Sequence, residues 1–330
     1  MLVLTEQDVA RALDMNAAID QVEQAYLLYA QGKLPSFYRA GGELNQEGGA
    51  FEILPCSHLA KNYFGFKYAS SYPTNRERGL PTVASTILLC DLASGFPVAH
   101  MGANLLTALK TAASPAVASK YLAKPRAGVV ALLGAGFQAR FQIQGLNCVL
   151  PLRELRVYDH FPQAAQALAQ WFQNEINPQA KVTVYQDADQ AVRGADVITT
   201  ITTSYQPVLH GACLQAGAHV NAMGSWLPDM QEVDADTVLA AQILATDIPE
   251  DMWHVAGDIL TPLKQGLISR DYPVTRLSDI VAGRATGREN EQQITMFESI
   301  GFSSLDIALA GAVYERSLAN HIGQEVTMFK

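Results

Sequence analysis

The sequence predicts an α/β fold in which a Rossmann-type, doubly wound parallel sheet is joined to a discontinuous β-rich domain. Between residues 128 and 224, apolar strand-like runs alternate with helical segments, a pattern typical of a parallel sheet with right-handed crossovers. Residues 35–110 instead contain β-type runs joined by short turns. A glycine turn at Gly134 and Gly136 follows the first strand of the alternating region.

Two domains of medium size are expected for a chain of 330 residues. We expect residues 116–299 to form a dinucleotide-binding domain. Residues 1–115 and 300–330 are expected to form one substrate-binding and dimerisation domain, because no low-complexity linker separates the β-rich segment or the last helix from the rest.

Composition excludes several classes of function. Hydrophobic residues make up 49% of the chain and charged residues 17%, as in folded globular proteins. The net charge of −9 and the lack of any Lys/Arg run argue against nucleic-acid binding. No apolar run is long enough for a membrane span, and no signal peptide is recognisable. The four scattered cysteines are typical of thiols in a reducing cytoplasm, and neither Cys nor His shows metal-ligand spacing.

In the first 110 residues, helices come before the strands. Thr5 and Asp8 have the spacing of a capping box, and apolar residues recur at helical spacing over 14–30, before Gly32. Strands are predicted for 51–54, 64–72, 85–90 and 96–101, the last two as a hairpin. The runs of 35–110 therefore predict an antiparallel sheet. Further helices are predicted for 105–123, 163–176, 189–193 and 305–320, and further strands for 128–133, 154–159, 182–185, 196–202 and 218–224.

Three basic residues stand within apolar stretches of the first part of the chain: Arg39, Lys67 and Lys110. Lys67 lies between Phe66 and Tyr68 in the middle of a predicted strand. An exposed strand face is the ordinary explanation of such a lysine. A buried lysine is costly unless it is paired, and would then be a candidate for a functional site.

The glycine turn has the form of a dinucleotide fingerprint, G-x-G-x-x-A, between a strand and a helix. Gly134 permits the tight turn, Gly136 allows the backbone to approach a pyrophosphate, and Ala139 allows the helix to pack on the strand. Asp159 ends the second strand, 25 positions after Gly134, as expected for an acid that binds ribose hydroxyls. Thr200, at the carboxyl end of the fourth strand, lies where ligands of such sheets bind.

Five separate segments carry a resemblance to one family: residues 79–82, 106–113, 134–138, 221–224 and 294–301. With them the chain resembles the ornithine cyclodeaminase/mu-crystallin family. The resemblance implies a Rossmann domain and a β-rich domain that closes a barrel-like core across a homodimer. It also implies hydride transfer between a nicotinamide and the α-carbon of an amino or imino acid. Mu-crystallin shows that a non-catalytic small-ligand binding protein is a further alternative.

The resemblance assigns roles to individual residues. Arg39 and Lys67 match residues that bind the substrate carboxylate, and Lys67 is also placed for proton transfer. Thr82, Lys110 and Trp226 are assigned to the substrate site as well. Residues matching cofactor contacts are Thr82, Gly134, Gly136, Phe137, Gln138, Asp159, Thr200, Asn221, Ala222, Met223, Gly224 and Ser299.

Two positions depart from the pattern of the cyclodeaminases. Lys110 replaces an arginine, and Trp226 replaces the aspartate that serves the amino groups of ornithine. Because tryptophan can neither accept a proton nor pair with an ammonium, the sequence favours reduction of a preformed cyclic imine, Δ1-pyrroline-2-carboxylate or Δ1-piperideine-2-carboxylate. Ornithine cyclodeaminase and an alanine-type dehydrogenase are the alternatives. Asp159 favours NADH over NADPH, since a 2′-phosphate would meet a like charge.

Overall fold

The computed structural model describes residues 1–45 and 48–328. Its contacts divide the chain into two compact units, Met1–Lys110 with Phe302–Lys330, and Thr111–Gly301. Within the described residues, no helix has both the length and the apolar character that crossing a membrane requires.

The strands are β1 (Leu2–Leu4), β2 (Ala40–Glu43), β3 (Ala50–His58), β4 (Tyr63–Ser71), β5 (Val83–Asp91), β6 (Pro97–Gly102), β7 (Val129–Leu133), β8 (Glu154–Tyr158), β9 (Lys181–Val184), β10 (Val197–Thr200), β11 (His219–Ala222), β12 (Ile243–Thr246), β13 (Thr275–Arg276), β14 (Thr295–Glu298) and β15 (Gln324–Glu325). The helices are α1 (Glu6–Ala12), α2 (Met15–Ala30), α3 (Asn104–Leu122), α4 (Phe137–Val149), α5 (Pro162–Trp171), α6 (Ala188–Val192), α7 (Ala235–Ala240), α8 (Pro249–Val255), α9 (Gly257–Lys264), α10 (Leu277–Val281) and α11 (Ser303–Ala319). Short 3₁₀ turns are Leu59–Lys61, Pro73–Arg78 and Gly211–Cys213, and a π-helical turn, Phe172–Ile176, extends α5.

The first unit contains a seven-stranded sheet in the order β15-β1-β6-β5-β4-β3-β2. Strands β2 to β6 are antiparallel throughout, including the predicted hairpin of β5 and β6, so this prediction is confirmed. Strand β1 was not predicted, because three residues carry too little pattern, and it pairs in parallel with β6. Helix α11 packs on β3, β4 and β5, and thereby covers one face of the sheet.

Side-chain caps fix the helices of this unit at their first residues. The Thr5 side chain and the Asp8 side chain form the predicted capping box of α1, and Asp14 caps α2. Glu6 accepts hydrogen bonds from the backbone nitrogens of Asn104 and Leu105, both at 2.8 Å. These bonds satisfy the first free N–H groups of α3, the helix that carries Lys110.

The second unit contains an eight-stranded sheet in the order β13-β12-β14-β11-β10-β7-β8-β9, with every pair parallel. Strand order reverses between β7 and β10, the position at which doubly wound sheets bind their ligands. Buried clusters lie on both faces: α4 and α5 cover one, and α7 to α9 cover the other. The predicted doubly wound α/β fold is therefore confirmed.

Strand β14 was not predicted; it lies between β11 and β12 in the middle of this sheet. All four of its residues are buried. Its sequence, Thr-Met-Phe-Glu, contains a single β-branched residue and follows the polar run 287–293, so its composition did not indicate a strand.

Candidate active site

Lys67 is buried in the first unit, with its ammonium group beside a carboxylate. Its Nζ lies 3.0 Å from Oδ2 of Asp306, and Nζ of Lys110 lies 3.7 Å from Oδ1 of the same carboxylate. The side chains of Lys67, Lys110 and Asp306 are only 7%, 6% and 1% exposed. This geometry excludes the exposed-lysine explanation and supports the alternative, a buried and paired lysine.

Sheet geometry explains why Lys67 faces α11. In register with Lys67 are Leu54 on β3 and Ile87 on β5, both buried, so the ammonium rises from an apolar face. Two residues earlier on the same face, Gly65 has no side chain. A Cβ there would lie 3.3 Å from Cδ1 of Ile307 and 2.3 Å from the Leu88 carbonyl oxygen. The glycine thus permits the close approach of α11 that brings Asp306 to Lys67.

Asp306 was missed by the sequence analysis, although a signal was present. It is a single acid within the apolar run 305–310, in the first turn of α11. A lone acid in an apolar helix and a lone lysine in an apolar strand are each costly to bury, and each becomes acceptable by pairing with the other. The lone acid and the lone lysine, taken together, therefore indicate a buried ion pair.

Two further residues assigned to the substrate side, Arg39 and Thr82, have different surroundings. The Arg39 guanidinium lies 3.6 Å from Oε1 of Glu52. Because side chains alternate along a strand, Glu52 shares the face of Leu54 and hence of Lys67. Thr82 is exposed in the loop before β5, where its carbonyl oxygen accepts a hydrogen bond from the Tyr72 nitrogen.

The glycine turn of the second unit has the geometry that a pyrophosphate needs. Gly134 has φ +107°, and a Cβ there would lie 2.4 Å from the Ile201 carbonyl oxygen. Gly136 caps the N-terminus of α4, and a Cβ there would have no heavy atom within 4 Å. The free N–H groups of the first turn of α4 thus open onto space next to the turn, which is a site that binds phosphate. Ala139 is buried where α4 meets the sheet.

Asp159 lies at the carboxyl end of β8 and braces this turn. Its Oδ2 accepts a hydrogen bond from the Ala135 nitrogen at 2.6 Å, and its Oδ1 accepts one from the Phe161 nitrogen at 2.7 Å. Phe137, at the start of α4, is 68% exposed, and Gln138 is half-buried. The acid is therefore held next to the glycines, and its role towards a ribose stays a prediction.

Glu232, which was not predicted, binds two of the predicted cofactor residues. Its wholly buried carboxylate accepts hydrogen bonds from Thr200 Oγ1 at 2.7 Å, from the Gly224 nitrogen at 2.7 Å and from the Thr202 nitrogen. Burial raises the pKa of this carboxyl, while these hydrogen bonds oppose the rise. Glu232 therefore fixes the backbone that follows β10 and β11.

Two more acids lie buried near Glu232. Asp258 accepts hydrogen bonds from the nitrogens of Glu232 and Val233 at 2.6 and 3.0 Å. Burial, and then the Glu232 charge, raise the pKa of Asp258 to about 8. Burial, followed by the charge of Asp258, also raises the pKa of Glu298 well above its ordinary value.

The remaining predicted cofactor residues bond to protein groups or lie within the core. Asn221 Nδ2 donates to Ser119 Oγ at 3.1 Å, and Ser299 Oγ donates to Asp247 Oδ2 at 2.5 Å. Ala222 and Met223 are buried. Trp226, two residues after Gly224, is 49% exposed. Their cofactor and substrate contacts stay predictions.

Solved structures of similar proteins cover nearly the whole chain. The Δ1-pyrroline-2-carboxylate reductase of Thermococcus litoralis, in complex with NADH and L-proline, has a TM-score of 0.94 and 32% identity, covering 99% of this chain and 100% of that one. An archaeal alanine dehydrogenase dimer with bound NAD has a TM-score of 0.92 and 32% identity, covering 100% and 99%. The iminosuccinate reductase of Paracoccus denitrificans with NAD⁺ has a TM-score of 0.92 and 30% identity, covering 99% of each chain.

Sequence relatives agree with this set. The alanine dehydrogenase of Archaeoglobus fulgidus is 34% identical over 332 residues, which cover 100% of this chain and 99% of the relative. The Δ1-pyrroline-2-carboxylate reductase of Bacillus cereus is 30% identical over 326 residues, which cover 99% of each. The sequence model of the ornithine cyclodeaminase/mu-crystallin family matches residues 1–321. The chain belongs to the ornithine cyclodeaminase/mu-crystallin family.

Proposed function

We propose that this protein reduces a cyclic imino acid, Δ1-pyrroline-2-carboxylate or its six-membered homologue Δ1-piperideine-2-carboxylate, to L-proline or L-pipecolate with NADH. The broader class, an NAD(P)-dependent oxidoreductase of imino and amino acids, is common to the related reductases and dehydrogenases. The choice of a cyclic imine rests on Trp226.

The observation that carries the proposal is the buried cluster of Lys67, Lys110 and Asp306. A ketimine acid presents a carboxylate next to the carbon that is reduced, and fixed cations at the carboxylate hold that carbon in place. Two ammonium groups around one carboxylate provide such cations in a setting where water screens them little. We assign substrate carboxylate binding to this cluster together with Arg39.

The cofactor assignment rests on the second unit. The turn at Gly134 and Gly136, the N-terminus of α4 and Asp159 fit a dinucleotide, and related structures contain NADH or NAD. We assign pyrophosphate binding to the turn and ribose binding to Asp159. The bound cofactor would supply the hydride. The imine nitrogen then needs one proton, and we assign Nζ of Lys67 as the group that delivers it.

Trp226 separates this proposal from ornithine cyclodeamination. An indole beside the substrate would pack against a neutral ring, whereas the second ammonium of ornithine would find no carboxylate at that position. An alanine-type dehydrogenase is the second candidate, since the Archaeoglobus fulgidus relative has this activity by name and matches the full chain. Pyruvate and ammonia combine to an imine that needs the same carboxylate contact and hydride.

A substrate panel tests the proposal. The purified protein is assayed with Δ1-pyrroline-2-carboxylate, Δ1-piperideine-2-carboxylate, L-ornithine, and pyruvate plus ammonia, each with NADH and with NADPH. We expect the highest kcat/KM with a cyclic imine and background rates with ornithine. Robust proline formation from ornithine, or a higher kcat/KM with pyruvate plus ammonia, would replace the proposal with the corresponding alternative.

We also propose that the protein forms a homodimer through the uncovered face of the first sheet. Opposite the Lys67 face, Ile53 and Tyr68 pair across β3 and β4, and Phe66 lies beside Leu88 on β5. All four are half-buried or exposed within one chain, and an apolar sheet face of this kind needs a partner. Ile87 and Leu89, by contrast, are buried on the other face. A monodisperse monomer at micromolar concentration in sedimentation would reject the dimer.

A further inference from the structure

Ser299 lies immediately after β14, at the carboxyl edge of the parallel sheet. Its backbone nitrogen donates a hydrogen bond to the Ala222 carbonyl oxygen at 3.0 Å, which places it beside the end of β11. In the strand order, β10, β11 and β14 lie on one side of β7 and its glycine turn, whereas β8 with Asp159 lies on the other side.

This position is on the nicotinamide side of a dinucleotide bound across the sheet. Such a ligand places one half on each side of the strand order reversal, and Asp159 is assigned to the ribose of the adenosine half. Ser299 is three strands from β7, a distance of about 14 Å at the usual strand spacing. Since the second ribose is joined directly to the pyrophosphate, the nicotinamide ring reaches farther from the turn than that ribose does, towards Ser299.

The hydroxyl group of Ser299 is bonded to a buried carboxylate. Its Oγ donates to Oδ2 of Asp247, which follows β12, at 2.5 Å. This distance is that of a hydroxyl donating to an ionised carboxylate. On α3, Ser114 Oγ donates to the other oxygen, Oδ1, at 3.4 Å, and Asp247 is wholly buried. The hydroxyl proton of Ser299 is therefore directed to Asp247 and not to a ligand.

A serine hydroxyl has one proton and two lone pairs. With its proton donated to Asp247, Oγ of Ser299 can offer a ligand only a lone pair, so the ligand group there must be a hydrogen-bond donor. On the nicotinamide ring, the carboxamide NH₂ is such a donor, whereas the carboxamide oxygen is an acceptor.

We propose that Asp247 is a positioning residue for the cofactor: by taking the hydroxyl proton of Ser299, it makes Oγ an acceptor for the carboxamide N–H of the nicotinamide ring. The inference rests on the proposed function, because it uses the assignment of the dinucleotide to this edge of the sheet. A ring substituent of similar shape without an N–H group would leave the Oγ lone pair without a partner, which is costly at a buried position.

The test compares three oxidised cofactors by binding calorimetry: NAD⁺, its thionicotinamide analogue and its 3-acetylpyridine analogue. The thionicotinamide analogue keeps the NH₂ group, whereas the acetylpyridine analogue keeps the carbonyl and has a methyl group in place of NH₂. For the unmodified protein we expect NAD⁺ and the thionicotinamide analogue to bind within about threefold of each other, and the acetylpyridine analogue about tenfold more weakly.

Two variants should abolish this preference. In Asp247→Asn the amide NH₂ can donate to Oγ, so the Ser299 hydroxyl is free to donate to the carbonyl of either ligand. Ser299→Ala removes the acceptor itself. In both variants we expect NAD⁺ and the acetylpyridine analogue to bind within about threefold of each other. Ser114→Ala, the matched control, removes the other hydroxyl from Asp247 and should keep the preference.

A purely structural role of Asp247 predicts something different. Asp247→Asn would then weaken all three cofactors equally, and the unchanged ratio would overturn the inference. An equal loss of all three in Ser299→Ala, as expected if Ser299 binds a ribose hydroxyl, would overturn it as well. If Asp247→Asn fails to fold, the unmodified protein and Ser299→Ala still decide, because a hydroxyl with a free proton would bind the acetyl carbonyl and show no preference. Calorimetry needs no turnover, so failure of cyclic imine reduction in the substrate panel is a separate result.

Discussion

The two units bury charge in different ways. In the first unit, the ammonium groups of Lys67 and Lys110 lie beside the Asp306 carboxylate. In the second unit, the carboxyl groups of Glu232 and Asp258 are held by backbone N–H groups. Lysine ammonium groups attract a ligand by charge, whereas backbone amides fix the path of a loop. Ligand binding in the first unit should therefore depend on charge, and in the second on loop geometry.

The largest expected effect concerns the stability of the second unit. With a pKa of about 8 in the folded state against an ordinary 3.8, Asp258 holds its proton more tightly folded than unfolded. The contribution of this group to the free energy of unfolding is fully present below about pH 4 and is lost as pH rises through 8. We expect the free energy of unfolding to fall by on the order of 4 kcal/mol between pH 5 and 8.

Denaturant unfolding of Asp258→Asn at several pH values checks this. The isosteric amide cannot ionise, so the slope against pH should become shallower than in the unmodified protein. Asp251→Asn, at an exposed position of α8, should keep the original slope. Equal slopes for all three proteins would show that Asp258 does not hold a proton in the folded state.

The next effect tests the dependence on charge in the first unit. Lys67→Ala should lower kcat/KM for the cyclic imine, because it removes a desolvated partner of the substrate carboxylate. The expected loss of transition-state stabilisation is about 2–4 kcal/mol. The dissociation constant for NADH should change little. Lys61→Ala, which removes an exposed lysine paired with Glu315, is the matched control. A loss of less than about threefold in Lys67→Ala would reject the assignment.

A smaller effect tests the dependence on loop geometry in the second unit. Glu232→Gln keeps the shape of the side chain but replaces one carboxylate oxygen by an NH₂ group. In the unmodified protein both oxygens accept hydrogen bonds from backbone N–H groups, and an NH₂ group cannot accept them. We expect NADH to bind about tenfold more weakly, or about 1.4 kcal/mol, with the substrate KM at saturating NADH little changed. Fluorescence titration of NADH measures this. Glu175→Gln, exposed after α5, should bind NADH as the unmodified protein does.

Much of the fold could be predicted, because most of its strands and helices have a recognisable pattern within a short stretch of sequence. Gly134 has the positive φ that favours glycine, and the capping box of α1 is formed by residues only three positions apart. The hairpin of β5 and β6 was predicted from the turn sequence between the two strands. Strand β14 was not predicted, since it contains a single β-branched residue and follows a polar run.

The site residues also fall into those with a local sequence signal and those without one. Lys67 and the glycine turn were found because each has a local signal. Asp306 lies 239 positions after Lys67 in sequence, and Glu232 acts on N–H groups that follow two different strands. Their contacts are created by the packing of α11 on β4 and by the order of the parallel strands, neither of which one short segment specifies.

The last expected effect, no larger than that of Glu232→Gln, concerns the choice between NADH and NADPH, which rests on Asp159. Its oxygens accept hydrogen bonds from the nitrogens of Ala135 and Phe161, so the carboxylate is fixed at the end of β8. A fixed carboxylate can still accept from ribose hydroxyls, because each oxygen has two lone pairs, while a 2′-phosphate would meet a like charge. We expect kcat/KM to favour NADH about tenfold, or about 1.4 kcal/mol. Asp159→Asn should bring the two cofactors to within about threefold, chiefly by improving NADPH, and Asp236→Asn at an exposed site should leave the ratio unchanged. A tenfold preference of the unmodified enzyme for NADPH would show that Asp159 serves only to brace the glycine turn, and cofactor choice in the second unit would then lie with its loops rather than with this charge.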